Sequence, residues 1–299
     1  MQTEGTFKSS RQWIDHVVLT VDVEDYFMSP ECVTFESWNT YEPAIHKGME
    51  RVLALLDEYQ AKATFFFVGW LAERYPELVQ WTVEKGHEIA SHTYNHTFVS
   101  KLNAEQFNQS LSKSLEILRQ LAPGQPVNGH RAPAFSLDSS KPWQFEILRN
   151  NGIVYDSSIN PRSTYLYGDN TASRYPSTIH GMVEIPPAVV EMGGVRMPVG
   201  GGGTLRILPN WYLQWARSKY QAGGFPPVIH IHPWEFVPDQ PKMKLPALLH
   251  LIHWMGIKST IPKMRKILEA NNVLTMNQYY SKLTDNISNN GNLNYNDLL

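Results

Sequence analysis

An α/β fold, a parallel sheet or barrel sheathed in helices, is what this sequence predicts, and two observations predict it. Over residues 16–160, short β-branched or aromatic runs alternate with amphipathic stretches. A strand–helix–strand rhythm needs crossovers, so neighbouring strands run parallel. Each run also ends in unusual polar residues, "DVED", "SHTYNH", "HRAPAF" and "YDSS". The C-terminal ends of strands are where such folds place their chemistry.

The elements follow in order. "HVVLTVDVED" (16–25) is a short buried strand that stops in acids. Residues 43–60 form a helix, because Ile45, Met49, Val52, Leu53, Leu56 and Tyr59 fall on one stripe. "ATFFFVG" (63–69) is a second buried strand. Leu71 to Lys85 is a helix stopped by Gly86, and "HEIASHT" (87–93) is a third strand. Asn103 with Gln106 three positions later makes a capping box, and Phe107, Leu111, Leu115 and Leu118 carry its helix. "PVNGHRAPAF", a helix over 141–151 and "GIVYDSS" repeat the rhythm. Residues 160–204 change character, rich in Pro, Gly and Tyr, and predict one or two inserted hairpins at the sheet edge. A helix over 209–222, the strand "PPVIHIHPWEF" (226–236) and helices near 245–256 and 260–271 follow. Residues 1–283 are expected to be one domain, with core motifs in 16–160 and the insertion, last motif strand and helices in 160–283. The Asn-rich tail 284–299 is expected to be mobile.

Composition narrows the function. The chain has 299 residues, 42% hydrophobic and 18% charged, enough apolar matter for a large core. A net charge of −2 gives no overall electrostatic case for nucleic acid or an anionic membrane. One cysteine, Cys32, excludes an internal disulfide framework and a cysteine-rich zinc site. The first residues contain no apolar signal region, and no run of about 18 apolar residues occurs. The expectation is a cytoplasmic protein without a transmembrane segment. Homo-oligomerisation through the hairpin segment or the C-terminal helices stays open.

His92 and His96 stand four apart in "SHTYNH". Eleven histidines in 299 residues would give about 0.4 such pairs by chance, so spacing alone decides nothing. Two imidazoles and one carboxylate nevertheless form a common catalytic zinc set. Asp22, Glu24 and Asp25 supply the acids. By strand alternation Asp22 and Glu24 share a face, whereas an early strand end would bring Asp25 forward instead. Arg131, at a strand end, needs a carboxylate against it, and Asp22 is the candidate. Pro133 stiffens that loop, and the Ala134 N–H could face a developing oxyanion. His230 and His232 share a strand face. A protonated imidazole is what an amine leaving group requires, and His232, nearer the strand end, is preferred. Glycines 200–203 lack the Lys-Ser/Thr of a phosphate loop and are expected to line a loop near the cleft.

The motifs "TVDVED", "SHTYNH", "HRAPAF" and "HIHPWEF", with "ATFFFVGWLAERYPELV" and "KGHEIASH", resemble those of the polysaccharide deacetylases, metal-dependent carbohydrate esterases. The segments "VEIPPAV", "PVGGGGTLRILP" and "HPWEFVPDQP" are similar to a bacterial subfamily of exopolysaccharide loci with its own C-terminal extension. The resemblance implies an irregular (β/α) barrel of about seven parallel strands, with an inserted β-hairpin region and C-terminal helices. It implies hydrolytic removal of N-acetyl groups from the amino sugars of a surface polysaccharide, an exopolysaccharide or a precursor. It makes His92 and His96 metal ligands with Glu24 or Asp25 as the third. It makes Asp22 the general base oriented by Arg131, the Ala134 backbone an oxyanion donor and His232 the general acid, with Asp156 in the place of the acid that orients that histidine. The metal implied is one divalent ion, zinc by default, with cobalt, nickel or iron also compatible with the donors. Val23 stands where the family has a second adjacent aspartate, and Ala134 where it often has an aromatic. Two other readings compete: an amide hydrolase for a small cyclic or ureido substrate, favoured by a lidded pocket where an open groove lined by Trp and Tyr would favour a glycan, and a glycan-binding homologue without turnover, favoured only by the altered acid motif.

Overall fold

A computed structural model describes residues 5–28, 33–163 and 168–290; Cys32 and tail residues 291–299 lie outside them. The strands are β1 (Gly5–Thr6), β2 (His16–Val23), β3 (Thr64–Phe67), β4 (Glu88–Ser91), β5 (Gly129–His130), β6 (Tyr155–Asp156), β7 (Ser177–Ile179), β8 (Met182–Glu184), β9 (Val189–Met192), β10 (Val195–Pro198), β11 (Val228–Ile231) and β12 (Asn272–Leu274). The helices are α1 (Ile45–Glu58), α2 (Gly69–Arg74), α3 (Pro76–Glu84), α4 (Ala104–Leu121), α5 (Pro142–Asn150), α6 (Gly202–Ile207), α7 (Asn210–Gln221), α8 (Ala247–Trp254), α9 (Thr260–Ala270) and α10 (Met276–Asn290).

One sheet runs in the order β1-β7-β8-β6-β5-β4-β3-β2-β11, with β12 also paired to β2. Its members β8, β6, β5, β4, β3, β2, β11 and β12 pair in parallel, eight strands among the described residues where about seven were expected. β7 and β1 add an antiparallel edge. The sheet curls. The Ala188 N–H, just after β8, donates to the carbonyl of Val228 in β11 at 3.3 Å, so the two ends of the path nearly meet. This is the irregular α/β barrel expected from the sequence.

Local chemistry accounts for the elements. β2 and β3 are buried along almost their whole length, as parallel strands covered on both faces must be. The capping box at Asn103 and Gln106 forms as predicted and starts α4. The helix expected over 71–85 is instead two, because the residue before a proline resists the α conformation: Tyr75 (φ −133°, ψ 66°) breaks the chain before Pro76. Two hairpins fill the inserted segment: β7–β8 at the sheet edge, turned at His180 and Gly181, and β9–β10, a two-stranded sheet of its own, turned at Gly193 and Gly194. Gly193 and Gly194 have positive φ (59° and 79°), the conformation that a tight two-residue turn demands. α10 runs to Asn290, so residues 284–290 of the segment expected to be mobile are helical.

The first and second halves of the chain share this sheet, since β11 and β12 lie on β2. The base of the barrel is tied as well. Glu88, opening β4, accepts from the Asn277 N–H in the first turn of α10 (2.9 Å), from the Thr64 hydroxyl (2.6 Å) and from the Tyr155 hydroxyl (2.5 Å).

Candidate active site and metal centre

The register of the sheet assembles the site. Val23, Phe67, Ser91, His130, Asp156 and Glu184 are successive partners across the parallel strands, and Val21 is paired with Ile231. Residues one position before or after that row therefore emerge at one edge and, by strand alternation, on one face: Asp22 and His232 before it, and Glu24, His92 and Arg131 after it.

Glu24 sits between two imidazoles. Its Oε1 is 3.1 Å from His92 Nε2 and 2.9 Å from His96 Nε2. All three side chains are buried, and their ligand atoms lie within 4.8 Å of one another. His92 Nδ1 donates to the Arg131 carbonyl at 2.7 Å, which fixes the ring. In a neutral imidazole the Nε2 lone pair then faces a carboxylate oxygen, a repulsive arrangement unless a cation lies between them. Two imidazole nitrogens and one carboxylate oxygen fit a divalent ion of the zinc type and leave coordination positions open. His96 holds φ 53°, the left-handed region that costs a non-glycine residue energy. Burial alone would raise the Glu24 carboxyl, but His96, His232 and the bonds from both histidines hold it well below the usual range.

Asp25 goes elsewhere. Its Oδ1 accepts from the Tyr26 N–H (2.8 Å) and its Oδ2 from the N–H groups of Ala44 and Ile45 (2.9 and 3.1 Å). It therefore caps α1, and burial raises it to about 6.

Asp22 is held by Arg131. The guanidinium Nη1 donates to Asp22 Oδ1 at 2.6 Å and to the Thr20 hydroxyl at 2.8 Å, while its other nitrogens reach the Ser157 carbonyl and hydroxyl. Arg131 is wholly buried and lies 4.3 Å over the Phe66 ring. Burial would raise Asp22, but Arg131 and the nearby histidines bring it below its ordinary value. Its Oδ2 is 4.0 Å from His232 Nε2.

His232 begins a second relay. Its Nδ1 is 3.1 Å from Glu235 Oε2, and Glu235 Oε1 pairs with Arg206 Nε at 2.7 Å. Burial would lower this imidazole; Glu235, Glu24 and Asp22 outweigh it and raise it to about 9. Burial pushes its neighbour His230 down to about 4. Gly201 (φ 146°) passes so close to His230 that a Cβ would come within 2.5 Å of the ring, so only glycine fits.

Glu235 and Arg206 escaped the sequence reading. Glu235 lies three residues beyond His232 in "HPWEF", the spacing of a capping box, and that was the available signal. Asp156, expected in that orienting place, bonds His130 Nδ1 (2.6 Å) and Ser158 instead. It shares the register row of Val23 and His130, so by strand alternation it points to the face opposite Asp22.

An open cleft of about 480 Å³ lies over these groups, lined by Asp22, Glu24, His96, Ala134 and His232, with walls from Phe98, Phe135, glycines 201–203, Ile207 and Ile252. Ala134 has φ 50° and Phe135 φ 52°, a strained turn at the cleft wall. The glycine run lines the cleft as expected, whereas among the described residues no Trp or Tyr lines it.

Residues 29–153 match the family Polysaccharide deacetylase, and residues 157–281 match Domain of unknown function (DUF3473). A peptidoglycan-N-acetylglucosamine deacetylase of Bacillus cereus is 38% identical over 72 residues, 24% of this chain and 26% of that protein. A peptidoglycan deacetylase of Helicobacter pylori is 32% identical over 117 residues, 38% of this chain and 37% of that protein. A chitooligosaccharide deacetylase of Sinorhizobium fredii is 33% identical over 82 residues, 27% of this chain and 38% of that protein. The chain thus spans between about a quarter and two fifths of these relatives. The fold is that of a crystallised Mycobacterium smegmatis protein assigned to the polysaccharide deacetylases (TM-score 0.60, 21% identity, 91% of this chain and 90% of that one). Parallel sheet, strand-end motifs and the matched segment agree: residues 29–153 of this chain are similar to the polysaccharide deacetylase family.

Proposed function

We propose that this protein is a metal-dependent deacetylase that removes acetyl groups from N-acetylated amino sugars of a bacterial surface polysaccharide, an exopolysaccharide or a precursor. The observation that carries the reading is a buried Glu24–His92–His96 cluster beside an Arg131-held Asp22 and a Glu235-held His232. The deacetylase relatives support the reaction class, and the match to DUF3473 alongside the deacetylase segment supports the exopolysaccharide assignment.

In this reading Glu24, His92 and His96 hold one divalent ion, by default zinc. Such an ion, when bound, supplies Lewis acidity to the acetyl carbonyl and makes water more acidic. The chain's own groups do the rest. Asp22, ionised and oriented by Arg131, takes the proton of the attacking water. The Ala134 N–H donates to the oxygen that gains charge as water adds to the carbonyl carbon. His232, protonated and steadied by Glu235, gives its proton to the sugar nitrogen as the C–N bond breaks. Acetate and a free amine leave. The cytoplasm is the proposed compartment.

The direct test is acetate release from a short N-acetylated glycan by metal-stripped protein before and after restoring zinc. Activity that returns with the ion supports the proposal. Acetate release that ignores the ion removes its metal-dependent part, and no release from any acetylated amino sugar removes the substrate class.

A further inference from the structure

The apolar stripe of α8 faces outward. Leu248, Leu251, Ile252 and Met255 stand at i, i+3, i+4 and i+7, the spacing that ordinarily faces a core. Here they are 68, 55, 45 and 36% exposed. The opposite face holds the helix down: His253 is buried and stacks on Trp234 with ring centres 4.4 Å apart. The helix is therefore anchored by its polar-aromatic side and presents its apolar side to the surroundings.

Charge is segregated around it. Residues 192–268 contain ten Lys or Arg and only two acids, Glu235 and Asp239, in a chain with 26 basic and 28 acidic residues overall; of the ten, Arg206, Arg217 and Lys263 are buried and Arg265 is paired with Glu58. Glu235 is buried against Arg206, and Asp239 is paired with Lys47 and Arg51. Lys242 and Lys244, just before α8, and Lys258, just after it, are exposed. The stripe is also continuous with the cleft, because Ile252 lines it together with Ile207, itself 45% exposed.

We propose that the outward face of α8 seats this protein on an anionic phospholipid surface, with the mouth of the cleft beside it. A helix lying in a membrane interface has these parts: an apolar stripe to enter the acyl boundary and lysines beside it for the headgroups. No helix among the described residues is long and apolar enough to cross a membrane, so the contact is peripheral. The glycan reaching the cleft would then be one held at the membrane. That last step rests on the deacetylase reading; the docking does not.

The test is co-sedimentation of the full chain with vesicles of phosphatidylglycerol mixed with phosphatidylcholine, and of phosphatidylcholine alone. The wild type is expected in the pellet with the anionic vesicles, less so as salt rises. Each lysine near such a surface contributes about fivefold in partitioning, so Lys242→Glu with Lys244→Glu should lower it about 25-fold or more. Leu248→Asp with Leu251→Asp should abolish it. Neither pair lines the cleft, so acetate release from a soluble glycan is expected to persist in both, which also reports that they fold. Equal sedimentation of wild type and the lysine variant, or none with either vesicle, overturns the proposal. So does a dimer that the leucine variant dissolves without any vesicle binding, which would give the face to a second copy of this chain. Vesicle binding without acetate release would defeat the deacetylase reading and leave the docking intact.

Discussion

Glu24 and Glu88 are both buried carboxylates on one sheet, at its opposite ends, and their surroundings shift their carboxyls in opposite directions. Glu88 opens β4 among neutral donors, the hydroxyls of Thr64 and Tyr155 and the Asn277 amide, and burial raises its carboxyl. Glu24 lies past the end of β2 between two imidazoles, and they hold it well below its usual range. A buried acid is thus no sign of function by itself. What distinguishes the candidate site is that each of its three carboxylates faces an opposite charge or a potential ligand: Asp22 has Arg131, Glu24 has His92 and His96, and Glu235 has His232 and Arg206. The base of the barrel is a structural tie, and the top is a charged device.

The largest effect that could break this comparison is at Glu24 and its partners. Glu24→Gln should abolish stoichiometric binding of a divalent ion, measured by elemental analysis, and acetate release with it. Glu88→Gln should leave both intact. If the two variants behaved alike, the distinction between the ends would fail.

Next come the proton-handling groups. Asp22→Asn and His232→Ala should each lower kcat by about 10²–10⁴-fold while a divalent ion still binds. Rates within twofold of wild type in both would remove them from the chemistry.

The pH profile sharpens the same point. Activity needs Asp22 ionised and His232 protonated. Asp22 titrates below the ordinary carboxylate range, so the acid limb lies low. His232 is raised to about 9, so activity falls as pH climbs through that region and the imidazole loses its proton. A bound cation repels His232⁺ and moves that limb below 9. Glu235→Gln removes the largest contribution raising His232, so the alkaline limb should shift to still lower pH. An unmoved limb would show that Glu235 only packs.

The smallest effect concerns Glu88 and stability. Its folded-state pKa is raised, so its contribution is complete below the unfolded value near 4.5 and declines as pH rises. Thermal melts of Glu88→Gln should therefore improve relative to wild type between acidic and neutral pH. A constant difference would contradict a raised carboxyl.

Much of this was legible in the sequence. Apolar runs ending in "DVED", "SHTYNH" and "HRAPAF" give strands and strand ends, and parallel register does the rest, since it carries residues at matching positions to one edge. The Arg131–Asp22 pair followed from the cost of burying an unpaired guanidinium. Asp25 was ambiguous because a one-residue change in where β2 ends decides its direction. The backbone turned it into the cap of α1. Glu235 and Arg206 were hidden for a different reason. Their pairing joins α6 to the turn after β11 across 29 positions of chain, and no local pattern encodes that meeting. The break at Tyr75 was readable from Pro76 and was overridden by the apolar periodicity around it.

The central claim is that "SHTYNH" and Glu24 form a metal centre that serves hydrolysis. The measurement that tests it most directly is metal content of the purified protein, wild type beside His92→Ala, with acetate release from a short N-acetylated glycan assayed on the same samples. The account predicts about one divalent ion per chain in the wild type, and loss of ion and acetate release together in the variant. Equal metal content in the two proteins, or acetate release that survives the loss of the ion, would contradict it.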